Sequence, residues 1–272
     1  MKVVVATIVH HPDDARIRSR QIESLLDAGH SVLYIAPAGD AKPPPAGLQR
    51  IEVPRAAGRR RLGALRHAFS AIRQATADAD VAILHDPELT LVDRAARSPV
   101  LWDVHEDVVA QLADKPYVPR PLRPAARFIT RALEARAKRR LPCLIAEVGY
   151  RDRFPDAVLV RNTVCVPESV APAGSDRVVY LGRVSLGRGA DALSTLADGL
   201  PPSSRLEVIG PLDADVRSLD RPNVVVHGFI PNSRALEMIG GAAVGLSLLG
   251  DLPNYRHSMP TKILEDLAHG LP

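Results

Sequence analysis

Aromatic residues, cysteines and long apolar runs are all scarce in this chain of 272 residues. Phe, Trp and Tyr make up 4% of the sequence, so Val, Leu, Ile and Ala must build the core, which suits helices over a buried parallel sheet. The two cysteines, Cys143 and Cys165, lack metal-ligand spacing and lie in apolar runs, which favours buried thiols. No run is long enough for a signal-peptide core or a membrane span, so we expect a cytoplasmic protein.

Lysine is also scarce, and the net charge of +4 comes mainly from arginine. The planar guanidinium fork of arginine suits phosphate groups, so the balance favours phosphorylated ligands or an anionic membrane surface. A basic groove interleaved with aromatic residues is missing, and we therefore expect no nucleic-acid partner.

Short runs rich in Val, Ile and Leu alternate with amphipathic segments along the chain. The expected strands are 3–9, 31–36, 81–85, 100–105, 144–147, 158–161, 178–184, 206–210, 224–230 and 243–249. The expected helices are 15–28, 62–77, 121–140, 190–197, 232–239 and 260–269. This alternation is typical of parallel, doubly wound α/β sheets. An aperiodic stretch with Pro and Gly at 166–176 predicts a linker between domains 1–165 and 177–272.

Two glycine-arginine pairs follow the first strand of the second domain. Gly182-Arg183 ends the strand, and Arg188-Gly189 begins the next helix. Gly182 permits close backbone approach, the two guanidiniums can bracket a pyrophosphate, and the helix N-terminus adds partial positive charge. A polar turn with solvated arginines explains the same residues equally well.

The last residues, 258–272, predict one amphipathic helix that begins near Pro260 and stops at Gly270. Its apolar stripe would consist of Leu264, Leu267, Ala268 and Leu271, with Lys262, Glu265, Asp266 and His269 off the stripe. Glu265 has two explanations at this point: it complements the helix dipole, or it accepts hydrogen bonds from ribose hydroxyls.

Taken together, these segments resemble the sugar-nucleotide domain of retaining GT-B glycosyltransferases, in the group known as glycosyltransferase family 4. That group has a Gly-Arg turn, then Lys-Gly, then a Lys-x-x-Glu helix ending in Ala-x-Gly-x-Pro. This chain has Gly182-Arg183, Arg188-Gly189 and Lys262-x-x-Glu265-x-x-Ala268-x-Gly270-x-Pro272. Gly228-Phe229-Ile230-Pro231 is similar to the family's turn beside the nucleotide base.

The N-terminal half carries three further motifs of the same family. They are the first-loop motif at 11–17 (HPDDARI) and the two strand-end motifs at 85–89 (HDPEL) and 102–107 (WDVHED). The resemblance spans roughly residues 3 to 272. It implies a GT-B fold, with two Rossmann-like domains facing a cleft. The family continues past its Lys-x-x-Glu helix, so we expect an incomplete C-terminal domain and a fragment of a longer protein.

The resemblance also implies roles for particular residues. Arg183 and Arg188 would hold the donor diphosphate and stabilise the leaving nucleoside diphosphate, and His105 would reach the reacting sugar; these are the expected catalytic residues. The expected donor-binding residues are Gly182, Arg183, Arg188, Gly210, Phe229, Ile230, Lys262 and Glu265. The expected acceptor-side residues are Asp13, Arg16, Asp86 and Glu106. For His105 the alternative is a strand-end histidine bonded to a backbone carbonyl.

Neither a metal nor another cofactor is expected. Asp78-Ala-Asp80 and Asp213-Ala-Asp215 mimic an Asp-x-Asp metal motif, but solvated acids explain them better. The segment 121–140 is basic and amphipathic, and two explanations stay open for it. It is either a solvated helix on the sheet or a peripheral contact with the inner face of the cell membrane.

The expected activity is transfer of a hexosyl-type sugar, with anomeric retention, from a nucleoside diphosphate-sugar to a hydroxyl group. The acceptor would be a glycan or a lipid-linked sugar used in polysaccharide or cell-wall assembly. Two alternatives remain: a sugar-nucleotide epimerase or hydrolase of the same fold, and a binding protein without turnover.

Overall fold

The computed structural model describes residues 1–39, 43–112, 120–214, 216, 219–252, 255 and 259–272. Within this range the chain divides into two compact units, Met1–Asn162 and Thr163–Pro272. The stretch 166–176, expected to link two domains, contains neither helix nor strand and lies at the start of the second unit.

A seven-stranded parallel sheet forms the first unit. Its strands are β1 (Lys2–Ala6), β2 (Ser31–Pro37), β3 (Leu48–Val53), β4 (Val81–Leu84), β5 (Val100–Val104), β6 (Cys143–Ile145) and β7 (Val158–Leu159). They follow the order β3-β2-β1-β4-β5-β6-β7, and register pairs such as Val4 with Ala82 fix β1 beside β4. Strand β3 was not expected, because polar Gln49, Arg50 and Glu52 interrupt its apolar pattern.

Both faces of this sheet are buried. One face packs Val4 and Leu84 against Ala68 and Ile72 of α2 (Arg61–Ala75), and the other face buries Val5 and Tyr34. The remaining α-helices of the unit are α1 (Glu23–Asp27), α3 (Val108–Gln111) and α4 (Arg123–Arg140). No helix in the described part of the chain is long and apolar enough to cross a membrane.

The segment expected to form one helix, 15–28, instead opens with a wide π-helical turn over Ile17–Ile22 and continues as α1. The wide turn includes a backbone hydrogen bond from Gln21 to Arg16, five residues apart. This spacing lets the side chains of Arg16 and Gln21 both reach Asp103 on β5. A π-turn inside a helix often marks a functional site.

The second unit repeats the architecture with four parallel strands. They are β8 (Arg177–Leu181), β9 (Arg205–Ile209), β10 (Val224–Val226) and β11 (Val244–Gly245), in the order β10-β9-β8-β11. The helices are α5 (Ala190–Gly199), α6 (Asn232–Ile239) and α7 (Thr261–Ala268). Tyr180, Leu193 and Leu206 are fully buried in its core.

Two expectations about burial were wrong. Helix α7 buries its charged side, with Lys262, Glu265 and Asp266 inside and Leu267 exposed, although Leu271 is buried as expected. The charged side packs inward because β11 offers Gly245, where no side chain competes with the Asp266 carboxylate. Cys165 is exposed because it lies in irregular backbone rather than in a strand, whereas Cys143 on β6 is buried.

Candidate functional site

Three histidines follow three neighbouring strands of the first unit: His10 after β1, His85 after β4 and His105 after β5. The ring centroid of His105 lies 4.8 Å from that of His10 and 5.2 Å from that of His85. The carboxyl ends of parallel strands are where open α/β sheets bind ligands, and this topology therefore explains why residues so distant in sequence meet there.

His10 is held between two carboxylates. Its Nδ1 lies 3.6 Å from Asp14 and its Nε2 lies 3.8 Å from Asp86. Burial alone would lower the pKa of His10, but Asp14 and Asp86 outweigh it and raise that pKa to about 9. In turn, burial would raise the pKa of Asp14, but its hydrogen bond with His10 and the charge of His10 keep that pKa well below its usual range. His10 is therefore an imidazolium at neutral pH.

Asp86, which follows β4, is almost fully buried against the loop that follows β1. Its carboxylate accepts hydrogen bonds from the Ile8 backbone N–H at 2.6 Å and from the Thr7 hydroxyl at 3.0 Å. Burial nevertheless raises the pKa of Asp86 above its usual value. The residue is fixed by these bonds beside His10.

Arg16 and Asp103 form a buried ion pair beneath the histidines. Two guanidinium nitrogens donate to the two Asp103 oxygens, at 2.7 and 3.3 Å. The same guanidinium also donates to Asn162 Oδ1 at 2.7 Å and to the Val160 carbonyl oxygen at 3.3 Å. Burial would raise the pKa of Asp103, but His85 and Arg16 outweigh it and lower the pKa. Arg16, expected on the acceptor side, thus ties the loop after β1 to β5.

The hydrogen bonds of the other two histidines indicate their tautomers. His85 Nε2 donates to Gln21 Oε1 at 2.9 Å, and burial lowers the pKa of His85 to about 3, so its ring is neutral. His105 Nδ1 donates to the Asp103 carbonyl oxygen at 3.3 Å. Because Nδ1 supplies this proton, Nε2 of a neutral His105 carries a lone pair, and among the described residues nothing bonds to it.

A cavity of about 390 Å³ lies next to the three histidines in the first unit. His10, His85, Asp86, His105 and Glu106 line its polar side. Its apolar side consists of Val9, Ala56, Ala57, Pro87, Trp102, Val104 and Val108. At the rim, Arg61 is paired with Glu88. Mixed polar and apolar walls of this kind suit an uncharged ring with hydroxyl groups.

One group of side chains within the described residues has the ligand types for a metal ion. His85, Asp103 and His105 each offer one ligand atom, and these atoms lie within 4.8 Å of one another. Both oxygens of Asp103 already accept hydrogen bonds from Arg16, and Oδ2 also accepts one from Gln21. A metal ion would have to displace part of this buried pair.

In the second unit, Tyr180 organises the loop between β8 and α5. Its buried hydroxyl donates to the carbonyl oxygens of Arg183 and Arg188, at 3.3 and 3.1 Å. Gly189 begins α5 with a left-handed φ of +81°, a conformation that favours glycine. The loop therefore has a defined shape, and both expected diphosphate-binding arginines belong to it.

Close backbone approach explains the neighbouring glycines. A Cβ at Gly210 would clash with the carbonyl oxygen of Gly182, so the strand ends after β8 and β9 can touch only without side chains there. Beside them, Arg183 donates to Asp213 at 2.6 Å, and its side chain stays 58% exposed. The expected solvated Asp213 is thus an arginine partner, and Asp215 lies outside the described residues.

Lys262 projects from α7 toward the same loop, whereas Glu265 contacts the start of α6. Lys262 Nζ lies 3.5 Å from the Tyr180 ring centroid, and it would lie 3.8 Å from a Cβ at Gly182. Burial, together with Arg188, lowers the pKa of Lys262 to about 7. Glu265 is buried and accepts a hydrogen bond from the Asn232 side chain at 3.3 Å. Burial raises the pKa of neighbouring Asp266 to about 6.

The remaining expected residues occupy two turns. Phe229 is 72% exposed after the left-handed Gly228, whereas Ile230 packs against the core of the second unit. In the first loop, the Asp13 backbone N–H donates to His11 Nδ1 at 3.1 Å, and Asp13 is partly buried.

Sequence reasoning missed His10, Asp14, Asp103, Tyr180 and Asp266. A signal was present for Asp103, since it is the one acid in the otherwise apolar strand β5. His10 and Asp14 lie within or beside the first-loop motif already recognised at 11–17. Tyr180 had no such signal, because a tyrosine in a buried strand is an ordinary core residue.

Comparison with known proteins identifies the fold. No family model and no curated protein matches this chain. Among solved structures, sucrose-phosphate synthase from Thermosynechococcus elongatus matches all of this chain and 79% of its own, with a TM-score of 0.71 and 16% identity. The Anabaena protein HepE, in complex with UDP and glucose, matches all of this chain and 79% of its own, with a TM-score of 0.67 and 13% identity.

An α-glucosyltransferase in complex with UDP and DNA also matches all of this chain and 78% of its own, with a TM-score of 0.63 and 12% identity. These neighbours are GT-B glycosyltransferases, and the predicted GT-B fold class is confirmed. At such low identities, the likeness establishes the fold.

Proposed function

We propose that this protein is a retaining glycosyltransferase that moves a sugar from a nucleoside diphosphate donor to an acceptor hydroxyl. The observation that most strongly supports this is the group of three basic side chains, Arg183, Arg188 and Lys262, around the carboxyl end of β8. Such a group suits a diphosphate, and Glu265 beside it suits ribose hydroxyls. The three solved neighbours include two bound to UDP, so uridine is the first base to test.

The donor would bind to the second unit. Arg183 and Arg188 would hold the diphosphate oxygens and offset the charge that develops as the nucleoside diphosphate leaves. The backbone at Gly182, Gly210, Phe229 and Ile230 would seat the nucleotide, with Gly182 and Gly210 allowing the close approach. The N-terminus of α5 adds a partial positive charge to the same region.

The acceptor would occupy the cavity of the first unit. His105 lines this cavity, and its Nε2 has no hydrogen-bond partner among the described residues, so it would bond to a sugar hydroxyl near the reacting centre. Asp86 and Glu106 line the same cavity, and Asp13 lies in the first loop. Arg16 would act indirectly, by fixing the loop that carries His10. We propose no metal for the transfer, because Asp103, in the ligand group found within the described residues, is already engaged with Arg16.

A lipid-linked acceptor is the preferred class because of one surface of the first unit. On α4, Phe128 and Ile129 are 74% and 58% exposed, with Arg127 and Arg131 also exposed. Exposed apolar side chains beside arginines suit the surface of an anionic membrane, which would place the protein at the inner face of the cell membrane. Phe128→Ser should therefore weaken sedimentation with phosphatidylglycerol vesicles. Equal sedimentation of both proteins would reject the membrane contact.

The activity itself is tested by incubating the protein with UDP-glucose, GDP-mannose or ADP-glucose and with lipid-linked or soluble glycan acceptors. The expected result is acceptor-dependent release of nucleoside diphosphate and a product whose anomeric configuration, read by NMR, matches that of the donor. Release without any acceptor would favour a hydrolase or epimerase. Nucleotide binding without turnover would leave the binding protein as the remaining explanation.

A further inference from the structure

The side-chain nitrogen of Lys262 is buried and has no hydrogen-bond acceptor among the described residues. It lies over the face of the Tyr180 ring, at 3.5 Å from the centroid. An ammonium group has three N–H donors, and burying it without acceptors is costly. A neutral amine suits this position better than an ammonium does, as long as no ligand is bound.

The charged groups around Lys262 act in opposite directions. Arg188, from the loop after β8, disfavours the charged form, whereas Asp266 and Glu265, on α7 itself, favour it. Tyr180, on β8, presents the face of an uncharged ring, since burial raises its own pKa to about 12. A ring face attracts an ammonium group, so Tyr180 also favours the charged form. Burial is the largest influence, and the resulting pKa of about 7 means that small changes in the surroundings decide the charge of Lys262.

We propose that binding of a nucleoside diphosphate-sugar is coupled to uptake of one proton by Lys262, which changes from an amine over the Tyr180 ring to an ammonium bonded to diphosphate oxygens. This inference rests on the proposed donor site. The lone pair of the amine takes the proton from solvent, no other bond forms or breaks, and the proton returns to solvent when the nucleotide leaves. Tyr180 is the positioning residue, because it holds Lys262 by its ring and both arginines of the loop by its hydroxyl.

A defined pH dependence follows. Below pH 7 Lys262 is already protonated in the free protein, so donor affinity should not depend on it. Above pH 7 each binding event must take up one proton from solvent, so donor affinity should fall by about tenfold per pH unit, until the pKa of the bound state is reached. The groups that face Lys262 from β8, its following loop and α7 are Tyr180, Arg188, Glu265 and Asp266. Burial raises the pKa of Tyr180 to about 12 and that of Asp266 to about 6, so neither of these two titrates between pH 7 and pH 9.

The test is isothermal titration calorimetry with UDP-glucose at pH 8.5, in two buffers with different ionisation enthalpies. A sugar nucleotide is used because it lacks a terminal phosphate. Such a phosphate has a second pKa of about 6 and would add its own proton exchange. The expected result is a difference in binding enthalpy between the two buffers that corresponds to uptake of about one proton at pH 8.5 and to a smaller uptake at pH 7. Binding with equal enthalpy in both buffers at pH 8.5 would overturn the proton coupling and leave the donor site intact.

Two variants identify the group. Lys262→Arg keeps a permanent charge and should bind UDP-glucose without proton uptake. Lys138→Arg is the matched control, because Lys138 also lies over an aromatic ring, at 5.2 Å from Phe154, but is exposed and donates to a carbonyl oxygen. It should keep the full uptake, and uptake that persists in Lys262→Arg would also overturn the proposal. If GDP-mannose and ADP-glucose, like UDP-glucose, fail to bind wild type, the proposed function fails and the coupling fails with it.

Discussion

In the first unit, the buried carboxylates Asp103 and Asp86 are matched inside the protein by Arg16 and His10. In the second unit, the Lys262 nitrogen has no hydrogen-bond acceptor among the described residues, and no ion pair of Arg188 occurs there either, whereas Arg183 pairs with Asp213. A site whose charges are already paired is prepared for a neutral ligand. A site with basic side chains that lack ion-pair partners suits an anion, and this difference fits the proposed division between a hydroxyl acceptor and a diphosphate donor.

The largest expected effect comes from breaking the pairing in the first unit. Arg16→Ala leaves Asp103 charged and buried without its partner, which should lower the free energy of unfolding by about 3–5 kcal/mol. Urea unfolding followed by tryptophan fluorescence measures it, since Trp102 is on the same strand. Arg18→Ala is the matched control, because its partner Glu23 is exposed and the pair should contribute less than about 1 kcal/mol. Equal losses of unfolding free energy in both variants would contradict a larger contribution from the buried Arg16–Asp103 pair.

Removing a cation from the second unit should affect activity rather than folding. Arg188→Ala should reduce turnover about 10²–10³-fold, equivalent to about 2.7–4 kcal/mol of transition-state stabilisation, while unfolding changes little. Initial rates of nucleoside diphosphate release measure it. Arg234→Ala, on the exposed surface of α6, is the matched control and should keep full activity. Normal turnover in Arg188→Ala would contradict the role of the loop.

The two units should also respond to pH in opposite directions. The raised pKa of His10 gives the first unit stability that is complete below pH 6.5 and is lost as pH rises toward 9. This shift corresponds to up to about 3 kcal/mol. The lowered pKa of Lys262 acts oppositely, because above pH 7 the unfolded chain binds the extra proton and folding becomes more favourable as pH rises.

His10→Gln separates these two contributions. Its free energy of unfolding, subtracted from that of wild type, should show a difference that shrinks between pH 6.5 and pH 9. Urea unfolding at four pH values in this range is sufficient. A difference that stays constant with pH would show that His10 is not protonated in the folded protein.

The smallest expected effect concerns the loop between β8 and α5. Tyr180→Phe keeps the ring under Lys262 but removes the hydroxyl that bonds to two carbonyl oxygens, so stability should fall by about 0.5–1.5 kcal/mol. UDP-glucose affinity should fall modestly, while proton uptake should remain. Tyr180→Leu removes the ring as well and should change the number of protons taken up when UDP-glucose binds. If both variants take up the same number of protons, Tyr180 does not position Lys262.

Much of the fold could be predicted because local sequence determines it. Buried parallel strands are short apolar runs, and strands 31–36, 81–85 and 100–105 were found within one residue of their observed ends. Asp86 and His105 were expected from the family resemblance, and the parallel topology brings residues that follow neighbouring strands to one sheet edge. Their roles, and those of the expected donor residues, stay predictions until they are tested.

The pairing of the site residues could not be predicted. Arg16 and Asp103 are 87 residues apart, and nothing local indicates that the guanidinium folds inward instead of facing a ligand. Helix α7 misled for a different reason. A helical pattern gives the direction of its apolar side, but the space left by Gly245 decides that the charged side lies inside.

That space has a consequence for variation and engineering. A Cβ at Gly245 would overlap the carboxyl group of Asp266, although the two residues belong to different elements, β11 and α7. The two positions therefore have to change together: a residue with a side chain fits at position 245 only when the residue at position 266 is smaller than aspartate. A library that varies each position singly should return glycine at 245, and one that varies both should recover the paired exchange.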